Sequence, residues 1–145
     1  MTLPPASDPT LATARAHAQA GAWGEVRTLI AERRAAAVTQ PELALLYGEA
    51  LVRTGFSREA RSWLDEILPA IERMGDRAAL RRGTNMLGVA HFELGDLDDA
   101  ETAWARALEL ARYDEDDLLI ARATNNLGTI ENAVNMINVG LAYRF

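Results

Sequence analysis

Two short segments pair an arginine with an asparagine three residues later, and the pair recurs forty residues on: "RGTNMLG" at 82–88 and "RATNNLG" at 122–128. Arg82 and Asn85, like Arg122 and Asn125, stand at i and i+3, so each pair shares one face of a helix. A carboxamide offers both an acceptor and donors and can pair with the N–H and C=O of one peptide unit. A guanidinium meets carboxylates through a planar fork. Burial favours neither residue type, and helix propensity disfavours Asn. The repetition points to polar recognition of another chain, the alternative being side chains that are solvated or pair locally with Glu93, Asp116 or Asp117.

Other chemistry is thin. The chain has no cysteine, which removes disulfides, thiol nucleophiles and thiolate zinc sites. His17 and His91 have no partner at metal-ligand spacing, and no metal or other cofactor is expected. "YDEDD" at 113–117 lacks the glycine and distal glutamate of a calcium loop and reads as a turn leading into a helix, whose first turn favours acids. No Ser/His/Asp set, Gly-rich phosphate loop or catalytic carboxylate pair emerges, so the expectation is a protein that is not an enzyme.

The formal charge of -6, with all fifteen basic residues Arg and none concentrated, argues against nucleic-acid binding. That bias, with 27 alanines, fits a GC-rich bacterial coding sequence. No apolar run approaches the roughly 20 residues of a membrane span. The opening "MTLPPASDPTLATAR" lacks the basic and apolar regions of a secretory signal. A cytoplasmic protein is the expectation.

The elements that must position the Arg/Asn pairs follow from self-comparison. Gly48, Gly88 and Gly128 are forty apart; so are Gly55 and Gly95, with Asn135 next; so are Ala60 and Ala100. Leu80, Leu87, Ala90, His91 and Leu94 share one helical face. Gly95 then ends the helix as a left-handed cap, and Leu97, Ala100, Ala103, Trp104, Ala107, Leu108 and Ala111 form the apolar face of the next helix. Glycine inside a helix costs about 1 kcal/mol against alanine, so its recurrence at 48 and 88 implies close approach of another helix. Helices are predicted near 9–20, 23–37, 41–54, 58–74, 77–94, 97–112 and 116–134.

Leu87-Gly88, His91, Gly95, Ala100, Trp104 and Ala107 resemble the tetratricopeptide repeat, whose packing positions are Leu-Gly, an aromatic, Gly, Ala, an aromatic and Ala at those offsets. The second unit matches at Gly48, Gly55 and Ala60 with Leu64 for the second aromatic, and the fourth at Leu127-Gly128. The forty-residue length is similar to the long-helix variant of kinesin light chains, polarity adaptors and bacterial peptide-sensing regulators. The departures are Val26, where alanine is expected, and a last unit without a second helix. The resemblance implies an all-α, right-handed superhelix of helix-turn-helix repeats, about seven helices plus an irregular or extended C-terminal tail. Residues 1–8 would be disordered, 9–134 would form units of about 9–40, 41–76, 77–115 and 116–134, and 135–145 would be the tail.

In function the resemblance implies a protein or peptide partner held in the concave groove. Groove asparagines of long-helix repeat proteins grip an extended backbone, which assigns that role to Asn85 and Asn125 beside Arg82 and Arg122. Glu49, Arg53, Val89, Phe92, Glu93, Thr129 and Asn132 would line the same surface. The two-carboxylate clamp for chaperone tails is not supported, because Leu45 and Glu49 stand where it needs Lys and Asn. The alternatives are a self-assembling array, a homo-oligomer through an uncapped end or the tail, and the sensor part of a larger bacterial regulator. From Asn135 the apolar residues alternate (Ile137, Val139, Leu141, Tyr143, Phe145), which predicts an extended tail after a turn at Asn135. Such a tail is a fused segment or ligand mimic first, a degenerate capping helix second and a membrane signal third.

Overall fold

The computed structural model describes residues 9–144, with side chains through Met136. The segment expected to be disordered, 1–8, lies outside the described residues. Eight helices follow one another with short turns: α1 (Pro9–Gln19), α2 (Trp23–Ala31), α3 (Arg34–Ala37), α4 (Pro41–Arg53), α5 (Ser57–Met74), α6 (Arg77–Glu93), α7 (Leu97–Tyr113) and α8 (Asp117–Arg144). Among the described residues there is no strand. Each long helix packs on the next, and α1, α4, α6 and α8 also touch in succession. The result is the stacked arrangement of a tetratricopeptide-like helical solenoid, with first helices aligned along one side.

The turns are built alike. Gly21, Gly55 and Gly95 have φ of 75°, 86° and 81°, the left-handed region that glycine enters without steric cost. The residue after each donates its N–H five positions back: Ala22 to His17, Phe56 to Leu51 and Asp96 to His91, at 2.8 to 2.9 Å. This closure satisfies carbonyls that a helix end leaves orphaned. Asp116 closes the α7 end in the same way on Ala111, with Glu115 taking the left-handed place at φ 55°.

The core runs through the first six helices, with Val26, Ile30, Leu43, Leu45, Leu51, Leu64, Ile67 and Ile71 essentially inaccessible. Full burial of side chains this size contributes about 1.5–3 kcal/mol each. The glycines explain how the helices come close. A Cβ on Gly88 would lie 2.3 Å from Cδ1 of Trp104, and one on Gly48 would lie 3.0 Å from Met86 Sδ and 3.2 Å from Leu64 Cδ2. Trp104 fills the notch and donates its indole N–H to the carbonyl of Asn85 at 3.0 Å. Trp63 makes the equivalent bond to Ala44 at 2.8 Å, also nineteen residues back. Gly128 occupies the same register, yet nothing lies within 4 Å of its Cβ position. Among the described residues no second helix follows α8 to fill it.

Two expectations are corrected. The helix predicted over 23–37 is broken at Glu32 and Arg33. Residues 31–36 are all exposed, so no core contact holds them in line, and the break turns buried Ala37 onto α4. The tail is helical: α8 continues through Asn135 to Arg144 with no turn. An isolated extended segment would leave its N–H and C=O groups without ladder partners, whereas a helix satisfies them internally. Phe145 lies outside the described residues.

Charge fixes the joint between α6 and the last turn. Arg81 donates Nη1 to Asp114 Oδ2 at 2.7 Å and Nε to Asp116 Oδ2 at 3.2 Å, while Arg77 Nε donates to Asp114 Oδ1 at 3.0 Å. Asp116 also caps α8 by accepting the N–H of Leu119 at 3.2 Å. The hydrogen bond from Arg77, reinforced by Arg81, holds the Asp114 carboxyl below its ordinary range. Arg15 on α1 does the same to Glu42 on α4.

Two predictions follow from this packing. Gly88→Ala forces a methyl into the Trp104 ring and should destabilise by about 1–3 kcal/mol, while Gly128→Ala should stabilise by about 0.5–1 kcal/mol through helix propensity. Urea melts of both variants check the contrast, and equal effects would refute the notch. For Asp114, a depressed folded pKa adds stability that is complete above the unfolded value and disappears as pH falls through the folded one. Tm should therefore drop below about pH 4, and Asp114→Asn should flatten that drop; an unchanged Tm-against-pH slope would remove Asp114 from the account.

Candidate functional site

The largest groove of this side, about 740 Å³, crosses the aligned first helices. Trp23 of α2, Glu49, Val52 and Arg53 of α4, Arg82, Asn85, Met86, Val89 and Glu93 of α6, and Leu119 and Arg122 of α8 line it. Its floor is apolar where Val52, Met86 and Val89 lie half-buried and Leu119 is buried. The forty-residue period has a direct geometric consequence here, because residues at one register on α6 and α8 open into one space.

Seven of the sequence-derived residues meet in this groove: Glu49, Arg53, Arg82, Asn85, Val89, Glu93 and Arg122. Glu49 and Arg53 are bonded to each other, Nε to Oε1 at 2.8 Å, one helical turn apart. The Arg53 guanidinium also lies 4.9 Å from the centroid of the Trp23 ring. Asn85 on α6 accepts a hydrogen bond at Oδ1 from Nδ2 of Asn126 on α8, at 3.1 Å. That bond ties two first helices together and leaves the Nδ2 donors of Asn85 available, and the unused Oδ1 of Asn126 beside them.

The other four lie elsewhere. Phe92 stacks on Trp104, ring centroids 5.6 Å apart, and joins the cluster formed with Ala100 and Ile130. Asn125 and Asn132 are exposed on α8 outside the groove, and half-buried Thr129 donates to the carbonyl of Asn125 at 3.1 Å. Among the described residues no helix lies beyond α8 to give that stretch a second wall. The cross-helix partner of Asn85 is therefore Asn126, one position beyond the repeated asparagine. Trp23 packs against the core and also borders the groove half-buried, where its cation-π contact with Arg53 is revealed only by the fold.

Away from the groove, α5, α6 and α7 border an open cleft of about 330 Å³ whose lining includes Leu68, Leu80, Thr84, Leu87 and His91. His91 Nδ1 is buried without a hydrogen-bond partner, 3.9 Å from Asp96 Oδ2, too long for a hydrogen bond. One ligand atom from each of His91, Asp96 and Asp99 falls within 4.8 Å of the others. The spacing hid this trio because a turn separates His91 from the two acids. Thr84 is buried and donates to the carbonyl of Leu80 at 2.7 Å, whereas Thr124 at the same register is exposed.

Residues 82–114 match the model of the Tetratricopeptide repeat family. The matched segment covers α6 from Arg82 onward, the Gly95 turn and α7, the unit in which Trp104 fills the Gly88 notch. No curated protein and no solved structure matches the chain. Among the described residues no helix is long and apolar enough to cross a membrane.

Proposed function

We propose that the chain is a scaffold module that binds an extended segment of a partner protein in the groove. Tetratricopeptide repeats generally mediate protein–protein interaction and are typically not enzymes. The observation that carries the finer reading is the convergence of Arg53, Arg82, Asn85 and Arg122, from three helices, on one groove with an apolar floor. Such a surface supplies the two elements an extended ligand needs, donors for its backbone carbonyls and apolar area for alternate side chains. Neighbouring helix axes stand roughly 8–10 Å apart, close to three extended residues at about 3.3 Å each.

Peptides selected from a displayed random library test this reading. Replacing Asn85→Ala and Asn126→Ala together removes the carboxamide pair without stranding one member, and should weaken the selected peptides about tenfold, read by fluorescence anisotropy. Arg106→Ala on the outer face should leave affinity unchanged. Equal binding to all three proteins would place the peptide elsewhere.

A second reading, self-association at the last helix, is favoured by one observation, the unfilled notch at Gly128. Sedimentation over a concentration series should then show a dimer that Gly128→Arg abolishes. A strict monomer at every concentration would exclude it.

A further inference from the structure

We infer that the groove selects an acidic segment, whose carboxylates bind Arg82 and Arg122; the inference rests on the groove reading above. Five charged side chains line the groove: Glu49, Arg53, Arg82, Glu93 and Arg122. Three already have partners. Glu49 and Arg53 hold each other at 2.8 Å, and Glu93 accepts from the hydroxyl of Ser57 at 2.8 Å. Arg82 and Arg122 have no hydrogen bond or ion pair among the described residues, and both are exposed. The charge of Arg82 reaches Glu42, but that carboxylate is taken by Arg15. Two free guanidinium groups thus open into one groove from successive first helices.

The partner follows from this arrangement. A guanidinium binds a carboxylate through two parallel N–H···O bonds, a geometry neutral side chains do not reproduce. Arg82 and Arg122 stand at one register of neighbouring helices, so a strand along the groove would meet them with acids roughly two to four residues apart. The apolar floor of Val52, Met86, Val89 and Leu119 suits uncharged side chains between them. A basic segment would bring its cations to these arginines and find Glu49 already held by Arg53, leaving Glu93 as the one groove carboxylate without a cationic partner among the described residues. The net charge of -6 repels acids at long range, but screening over about 8 Å at physiological ionic strength confines the choice to local contacts.

The probe is a library of random dodecapeptides displayed on phage and selected on the intact chain. Enriched peptides are synthesised beside isosteres with Gln for Glu and Asn for Asp, and both are measured by fluorescence anisotropy. The expected result is enrichment of peptides with two or more acids, at least tenfold weaker binding of the isosteres, and no preference between them in the Arg82→Gln, Arg122→Gln variant. Peptides lacking acids, yet weakened by Asn85→Ala with Asn126→Ala, would overturn the acidic partner and leave the groove standing. Acidic peptides indifferent to the arginine changes would also overturn it. Enriched peptides indifferent to the asparagine changes as well, or no enrichment at all, would remove both readings.

Discussion

The structure depends on a bulky side chain of a second helix seating in a glycine notch of the first. Trp104 on Gly88 brings paired helices closer than a Cβ would permit, and Leu64 on Gly48 leaves a Cβ only a tight fit. In the unit around Gly88 the contact is directional, because the indole N–H anchors on a backbone carbonyl of the same first helix. Close pairing sets the orientation of each first helix, and that orientation decides which residues face the groove. Arg82, Asn85 and Val89 reach the groove because Gly88 and Thr84, on the other side of α6, are held against α7 and the core.

Much of this was legible in the residues. The period placed the glycines, the left-handed turn at Gly95 and the buried face of Ala100, Ala103, Trp104, Ala107 and Ala111. Interior glycine was informative since it is costly in a helix and therefore marks a contact. The break at Glu32 was not legible, because alanine and arginine favour helix on either side and only missing core contact ends it. The tail misled because alternation predicts a strand only when another strand can take its backbone groups.

The candidate site was less legible, for a geometric reason. A residue facing the groove and one at the border with the paired helix differ by a fraction of a helical turn. Phe92 thus reads as groove from register but packs on Trp104. Asn126 escaped notice because its counterpart on α6 is Met86, so repetition gave it no emphasis. Its role comes from one cross-helix bond that no periodicity encodes.

Glu115 holds the left-handed position that glycine holds in four earlier turns, a conformation costing a side-chain-bearing residue roughly 1–2 kcal/mol. The Arg77, Arg81, Asp114 and Asp116 cluster braces that joint. Beyond it α8 has neighbours on one side only, chiefly α7, so its detachment sacrifices less packing than that of an inner helix such as α6. Arg122 and Leu119 sit on α8, so the groove's far wall is carried by the helix that follows this braced turn.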